Sequence, residues 1–292
     1  MRILLTGAQG QLGEALQPVL GAIGELTAAG RDQVNLANTA QLYDAVMALQ
    51  PDLIVNAAAY TAVDKAETEA DLAMAVNGTA PGILAQAAKD LGGRLIHVST
   101  DYVFNGQQGR PYRETDPTDP LGSYGRSKLA GETAILATAP GQSAIVRTAW
   151  VYGAGKTGNF VKTMIRLATD RPELRVVADQ IGSPTWTRDL AGAIGQLAGC
   201  LDADTAGVYH YTNSGAVSWY DFAVAIIEET RALGLELAVE RIVPIATEDY
   251  PTPAQRPSYS VLWGGKLAAL LGSPAPHWRA SLRQMLPELL NR

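Results

Sequence analysis

Apolar residues occur in short runs, separated by amphipathic stretches, from the start of the chain. Ile3-Leu4-Leu5 belongs to a buried-strand run that stops at Gly7, and Leu12, Leu16, Val19 and Leu20 follow at helical spacing. Residues 25–29 predict a second strand, 39–49 a helix, and Leu53-Ile54-Val55 a third strand. Between 71 and 91, the positions Val76, Ile83, Leu84, Ala87 and Leu91 again suit a helix. Residues 94–98 form the fourth strand. A Gly- and Pro-rich loop leads to a helix opening at Tyr124, and 144–147 is the fifth strand. Pro18 falls inside the first helix, where it should kink or shorten it. This alternation predicts an α/β fold with a doubly wound parallel sheet, in which ligands bind outside the carboxyl ends of the strands. Gly10, Ala59, Thr100, Tyr124 and Trp150 all fall at that edge or just past it.

Past Trp150 the alternation loosens. Helices are expected over 160–168, 188–201, 219–233 and 278–290, with one strand at 174–177. Pro244, Pro251, Pro253 and Pro257 mark a loop-rich region before the last helix. The division that follows is a dinucleotide-binding Rossmann domain over 1–150 and a smaller C-terminal substrate lobe over 151–292, with some segments returning to the first domain.

Composition narrows the partners. A formal charge of −6 over 292 residues argues against a nucleic-acid-binding surface, which needs a basic patch. Cys200 is the single cysteine, so no internal disulfide forms and a reducing compartment fits. His97, His210 and His277 are scattered, with no cluster at metal-ligand spacing. No apolar run approaches the ~20 residues that span a bilayer, and the first one is too short for a signal peptide. The expectation is a cytoplasmic protein with no membrane partner.

The chemistry concentrates in three places. Gly7, Gly10 and Gly13 form a G-x-x-G-x-x-G turn between strand and helix, which suits a cofactor pyrophosphate at the helix N-terminus. The second strand ends in Gly30-Arg31-Asp32. An arginine there accommodates a 2′-phosphate and favours NADPH, while Asp32 keeps NADH open. Tyr124 and Lys128 stand four apart and project from one helix face. A lysine ammonium so placed would favour the ionised phenol, whose ordinary pKa is ~10, and make Tyr124 a proton donor to a carbonyl oxygen. The plain alternative is a solvated helix face.

These motifs, with five further stretches, resemble the extended short-chain dehydrogenases/reductases, and within them the dTDP-4-dehydrorhamnose reductase family. The stretches are Val-Asn-Ala-Ala-Ala-Tyr-Thr-Ala-Val-Asp-Lys-Ala-Glu at 55–67, Ser-Thr-Asp-Tyr-Val-Phe at 99–104, Tyr-Gly-Arg-Ser-Lys-Leu-Ala-Gly-Glu at 124–132, Arg-Thr-Ala-Trp-Val-Tyr at 147–152 and Tyr-Pro-Thr-Pro-Ala-Gln-Arg-Pro at 250–257. The resemblance runs essentially end to end. It implies reduction of a dTDP-4-dehydro sugar by NADPH, giving dTDP-L-rhamnose for cell-surface polysaccharide. It further implies Tyr124 as general acid, Lys128 as its partner on the nicotinamide ribose, and Thr100 as the third catalytic hydroxyl. Gly7, Gly10, Gln11, Leu12, Gly13, Arg31, Ala59, Tyr60 and Thr61 would hold the cofactor. Thr100, Asp101, Trp150, Val63 and Arg256 would contact the nucleotide sugar. Some family members bind Mg²⁺ through carboxylates at positions occupied here by Ala15 and by Arg188 beside Asp189, which argues against a metal-bridged dimer and leaves a homodimer open. Two other readings stay open: an NAD-retaining nucleotide-sugar epimerase or dehydratase, and a non-catalytic subunit like the regulatory subunit of methionine adenosyltransferase.

Overall fold

The computed structural model describes residues 1–291 of the chain. The first half alternates strand and helix: β1 (Arg2–Thr6), α1 (Gln11–Gly21), β2 (Glu25–Ala29), α2 (Thr39–Leu49) and β3 (Leu53–Asn56). A helical run then follows as α3 (Ala70–Met74), a π turn at 75–79 and α4 (Ala80–Asp90). Next come β4 (Arg94–Thr100), α5 (Ser123–Thr138) and β5 (Ser143–Thr148). The second half contains β6 (Val151–Tyr152), α6 (Phe160–Asp170), β7 (Glu173–Val177), β8 (Ile181–Gly182), β9 (Thr185–Trp186), α7 (Thr187–Cys200) and β10 (Gly207–His210). It closes with β11 (Val217–Ser218), α8 (Trp219–Ala232), β12 (Arg241–Ile245), α9 (Gly265–Leu271) and α10 (Trp278–Leu290).

The main sheet has six parallel strands in the order β10-β5-β4-β3-β1-β2. The chain leaves β1 to one side for β2 and returns to the other for β3, so a crevice opens where the winding reverses. Both faces are covered, as a parallel sheet requires. Ile3, Leu5, Val55, Ile96 and Val146 pack beneath α1 and α7, and Leu4, Ile54, Leu95 and Ile145 belong to the opposite core, with residues of α2, α4 and α5. A separate core holds the second half together through Tyr152, Val161, Phe222, Ile226, Trp278 and Leu282.

Several expectations need correction. Pro18 does not end α1, which runs on to Gly21. Pro18 faces solvent, so its ring does not intrude on the core. The loosened alternation after Trp150 conceals β10, which pairs with β5, whereas the helix expected over 188–201 is present as α7 and packs on α1. Pro244 is not in a loop but in β12, the partner of β7 in a two-stranded sheet, where a missing N–H is tolerated on the free edge. The region read as one helix from 71 to 91 is interrupted by the π turn.

Helix α5 reaches the sheet through charge as well as apolar contact. Its Glu132 is buried against Arg147 of β5, which donates from Nε to both carboxylate oxygens at 3.0 and 3.1 Å and from Nη2 at 2.6 Å. The Ser99 hydroxyl of β4 donates to the same carboxylate at 2.5 Å. Removing one partner strands the other charge in the interior. Arg147→Ala is therefore expected to lose about 3–5 kcal/mol of stability, measured by urea unfolding; a loss within about 1 kcal/mol, the range of a surface pair, would show that the pair does not anchor the helix.

Candidate active site

The glycine turn packs tightly against the chain that leaves β3. Gly7 has φ +72°, and a Cβ there would lie 2.6 Å from the Ala58 amide nitrogen. A Cβ on Gly13 would overlap the Gly7 carbonyl oxygen, so α1 can start this close only with glycine at both positions. Gly10 caps α1 in an extended conformation with no side-chain cap bond, leaving the first-turn amides of Gln11, Leu12 and Gly13 free of a capping side chain. Such a turn fits a pyrophosphate. The Gln11 side chain accepts from Asn159 at 2.9 Å, which ties the turn to the second half of the chain. Arg31 is exposed at the end of β2, beside Gly30, whose neighbours include Gln9 of the turn.

Ala59, Tyr60 and Thr61 follow β3, and a residue that the sequence did not flag holds them. Asn77, in the π turn, accepts from Tyr60 N at 2.8 Å and donates to Tyr60 O at 3.0 Å, and it also reaches Ser127 Oγ on α5 at 3.1 Å. Its side chain mimics a strand partner for the loop. Glu67 caps α5, accepting from Ser123 N at 2.7 Å and Ser123 Oγ at 3.0 Å, which places a carboxylate at the positive end of the helix that carries Tyr124.

Thr100 ends β4, and Asp101 begins the turn beyond it. The Thr100 hydroxyl donates to Asp101 Oδ1 at 3.0 Å. Tyr124 packs with Tyr60, Val63 and Tyr102, its ring edge-on to Tyr102 at 5.5 Å between centroids. Burial pushes the Tyr124 phenol up to about 12; interaction with the Thr100 hydroxyl pulls it down and the Asp101 charge pushes it further up. The lowered phenol pKa anticipated from Lys128 is therefore absent. The reason is geometric: the Lys128 amine turns into the sheet, donating to Val98 O at 2.7 Å and lying 3.2 Å from His97 Nε2. Burial lowers its own pKa to about 8, against the pull of Glu132. At neutral pH the phenol holds its proton, the state a general acid needs.

The substrate candidates are brought to the same edge from both halves. Arg256 pairs with Asp64 at 2.8 Å, next to Val63, and Asp64 also accepts from Ala254 N at 3.2 Å. Trp150 adopts φ +47°, rare for a bulky side chain, and its ring stacks on Trp219 with centroids 3.4 Å apart. Gly182 lies directly under that ring. Arg31 stands apart from this group, three strands along the sheet from β4. Of the positions compared with a metal site, Ala15 packs against the apolar core and Arg188 pairs with Glu288, while Asp189 beside it accepts from Asn213 at 2.7 Å and Ser281 at 2.5 Å. No cluster of three metal-ligating side chains occurs among the described residues.

Residues 1–291 match the family described as RmlD substrate binding domain. A dTDP-4-dehydrorhamnose reductase of Burkholderia thailandensis is 46% identical over 301 residues, covering 100% of both chains. The chain belongs to the dTDP-4-dehydrorhamnose reductase family. A solved family member from Clostridium acetobutylicum superposes with a TM-score of 0.91 at 39% identity, covering 100% of each chain. Another, from Bacillus anthracis in complex with NADP, gives 0.90 at 37% identity over 98% of this chain and 99% of its own.

Asp101 supplies a test of the site's electrostatics. Burial raises its carboxyl to about 6, above the ordinary 3.8. The folded state thus binds this proton more tightly than the unfolded chain, and the resulting stability is full below pH 4 and lost as pH rises through 6. Asp101→Asn removes that loss. The variant's stability relative to the parent is expected to rise between pH 4 and 7 by on the order of 2–3 kcal/mol, read from urea unfolding at several pH values; a difference independent of pH would contradict the burial argument.

Proposed function

We propose that the chain reduces dTDP-4-dehydro-β-L-rhamnose to dTDP-β-L-rhamnose with NADPH, in the synthesis of a nucleotide sugar for cell-surface polysaccharide. The observation that carries this reading is the Tyr124 phenol beside the Thr100 hydroxyl at the carboxyl end of β4, with Lys128 one turn further along the same helix and an open glycine turn after β1. When bound, NADPH supplies the hydride for C-4. The first-turn amides of α1 bind its pyrophosphate, Arg31 receives the 2′-phosphate, and Ala59, Tyr60 and Thr61 line its path. Tyr124 Oη gives its proton to the carbonyl oxygen that becomes the new hydroxyl, and the Thr100 hydroxyl orients that oxygen. Lys128 holds the nicotinamide ribose. Asp101, Val63, Trp150 and Arg256 bind the sugar nucleotide.

In this reading residues 1–150 hold the cofactor and the part after Trp150 mainly covers the substrate, and the enzyme works in the cytoplasm as a homodimer. No helix among the described residues is long and apolar enough to cross a membrane. Light scattering of the purified chain tests the assembly.

The activity is tested by NADPH oxidation with the purified 4-keto sugar nucleotide and identification of the product. One NADPH consumed per sugar is expected; none consumed would point to the epimerase or dehydratase chemistry instead. Tyr124→Phe should lower kcat by at least ~100-fold while NADPH still binds, as followed by its fluorescence. Turnover near that of the parent would remove Tyr124 from the mechanism. Arg31→Ala should cut the preference for NADPH over NADH by about tenfold, the worth of one charged hydrogen bond, in the ratio of kcat/KM values. An unchanged ratio would place the 2′-phosphate elsewhere.

A further inference from the structure

Three central strands carry a polar row across an otherwise apolar face. Thr6, Asn56 and His97 are register partners on β1, β3 and β4. They share the face of Leu4, Ile54 and Leu95, two residues earlier on each strand. All three are buried. Polar side chains in such a place cost stability unless they are bonded to one another, and these are. Thr6 Oγ1 donates to Asn56 Oδ1 at 2.6 Å, Asn56 Nδ2 lies 2.9 Å from His97 Nδ1, and His97 Nε2 lies 3.2 Å from the Lys128 amine.

The directions of these bonds follow from one fixed donor. The Ala58 backbone N–H points at the Asn56 side chain from 3.2 Å and can only donate, so the oxygen of the amide faces it. The Asn56 NH₂ group therefore faces His97 and donates to Nδ1. A neutral imidazole that accepts at Nδ1 carries its proton on Nε2. That N–H is aimed at Lys128. An uncharged amine accepts it with its lone pair while donating to Val98 O, whereas an ammonium has no lone pair to offer. To face an ammonium with an acceptor, His97 would have to move its proton to Nδ1, against the hydrogens of Asn56.

We propose that His97, oriented by Asn56, is a positioning residue that presents an N–H to Lys128 and thereby sets how readily the catalytic lysine gives up its proton. The charge state of Lys128 and the tautomer of His97 are thus linked. Burial and the Lys128 charge keep the imidazole itself neutral, its pKa well below the usual value. The other groups around the amine are few. Glu132 lies one turn along α5, held by Arg147 of β5, and Tyr124 one turn back. Asp101 stands beyond Thr100 on the β4 side, and Lys65 and Glu67 lie in the turn near the start of α5. The 70–90 segment faces α5 with Ala73, Asn77, Gly78, Pro81 and Gly82, none of which titrates, and its α3 also carries the exposed Asp71. His97 is the one of these groups that pits a donor against the lysine.

This rests on the reductase reading only in taking Lys128 as the partner of Tyr124, and the deciding measurement does not use turnover. Long-range ¹H–¹⁵N NMR spectra of the histidine-labelled protein should show His97 protonated on Nε2. Titration of the ¹³C-labelled Lys128 side chain should then move upward by about one pH unit, tenfold in proton affinity, in two variants. His97→Gln offers an amide oxygen at the Nε2 position. Asn56→Asp accepts from Nδ1–H and turns the Nε2 lone pair towards Lys128. In His97→Gln, which adds no charge, a purely structural role would lower melting temperature and leave the lysine titration where it was. The proposal is overturned by an Nδ1-protonated His97 in the parent protein, or by an unchanged Lys128 titration in a variant that folds. The tautomer decides it even if neither variant folds.

Discussion

A carboxylate and a guanidinium, both shut away from water, determine where the reactive helix can lie. Burying Glu132 and Arg147 costs several kcal/mol per ion. The cost is offset by the fork from Arg147, by Ser99, and by His210, whose Nε2 lies 3.4 Å from Arg147 Nη1 while its Nδ1 faces Tyr112 O at 3.0 Å. These bonds join α5 to β4, β5 and β10 at once. The helix has small and charged residues among its buried positions, so apolar burial alone would leave its rotation about its own axis loosely specified. The ion pair specifies it. With Glu132 fixed, Lys128 and Tyr124 fall one and two turns earlier on the same face, above the end of β4. Glycines make the fit close: a side chain at Gly125 would overlap the Tyr102 carbonyl, and one at Gly131 the Asn77 carbonyl.

The two halves of the chain meet through different chemistry at each end of the crevice. Near the glycine turn the contacts are polar, from Asn159 to Gln11 and from the Lys156 amide to Glu14 at 3.1 Å. Near Tyr124 they are ionic, Asp64 to Arg256. The Trp150–Trp219 stack lies between segments that both come after β5 in sequence and pack on the second half's own core, which supports its strained backbone.

Much of this was legible in the sequence, and the exceptions share a cause. Apolar runs disclosed five of the six sheet strands, and the bounds of α2 and α10 followed from periodicity alone. β10 escaped because Gly-Val-Tyr-His has four residues and little alternation, and β12 because Pro244 reads as a breaker unless the strand is known to have a free edge. In the site, Thr100, Tyr124 and Lys128 stand in recurrent motifs. Asn77, Asp64 and Glu67 act through loops and helix ends that only tertiary structure brings together. His97 and Asn56 did leave a trace: each is a polar residue ending or interrupting a run, Leu-Ile-His-Val and Leu-Ile-Val-Asn, that a buried strand would otherwise keep apolar.

The π turn at 75–79 alters the arithmetic of its own segment. An α-helix advances about 100° per residue, and a wider turn absorbs one residue without advancing the helix by that amount. The faces of α3 and α4 are therefore out of phase with each other, as two gears are when one tooth is skipped. Leu84 and Ala88 keep their place against the sheet while Asn77 is swung towards the loop after β3. The segment is a phase shifter: a single-residue deletion there would leave composition and hydropathy almost untouched, yet would rotate one end of the helical run relative to the other and take the clamp off Tyr60. Length, as well as the amide of Asn77, is what that stretch has to preserve.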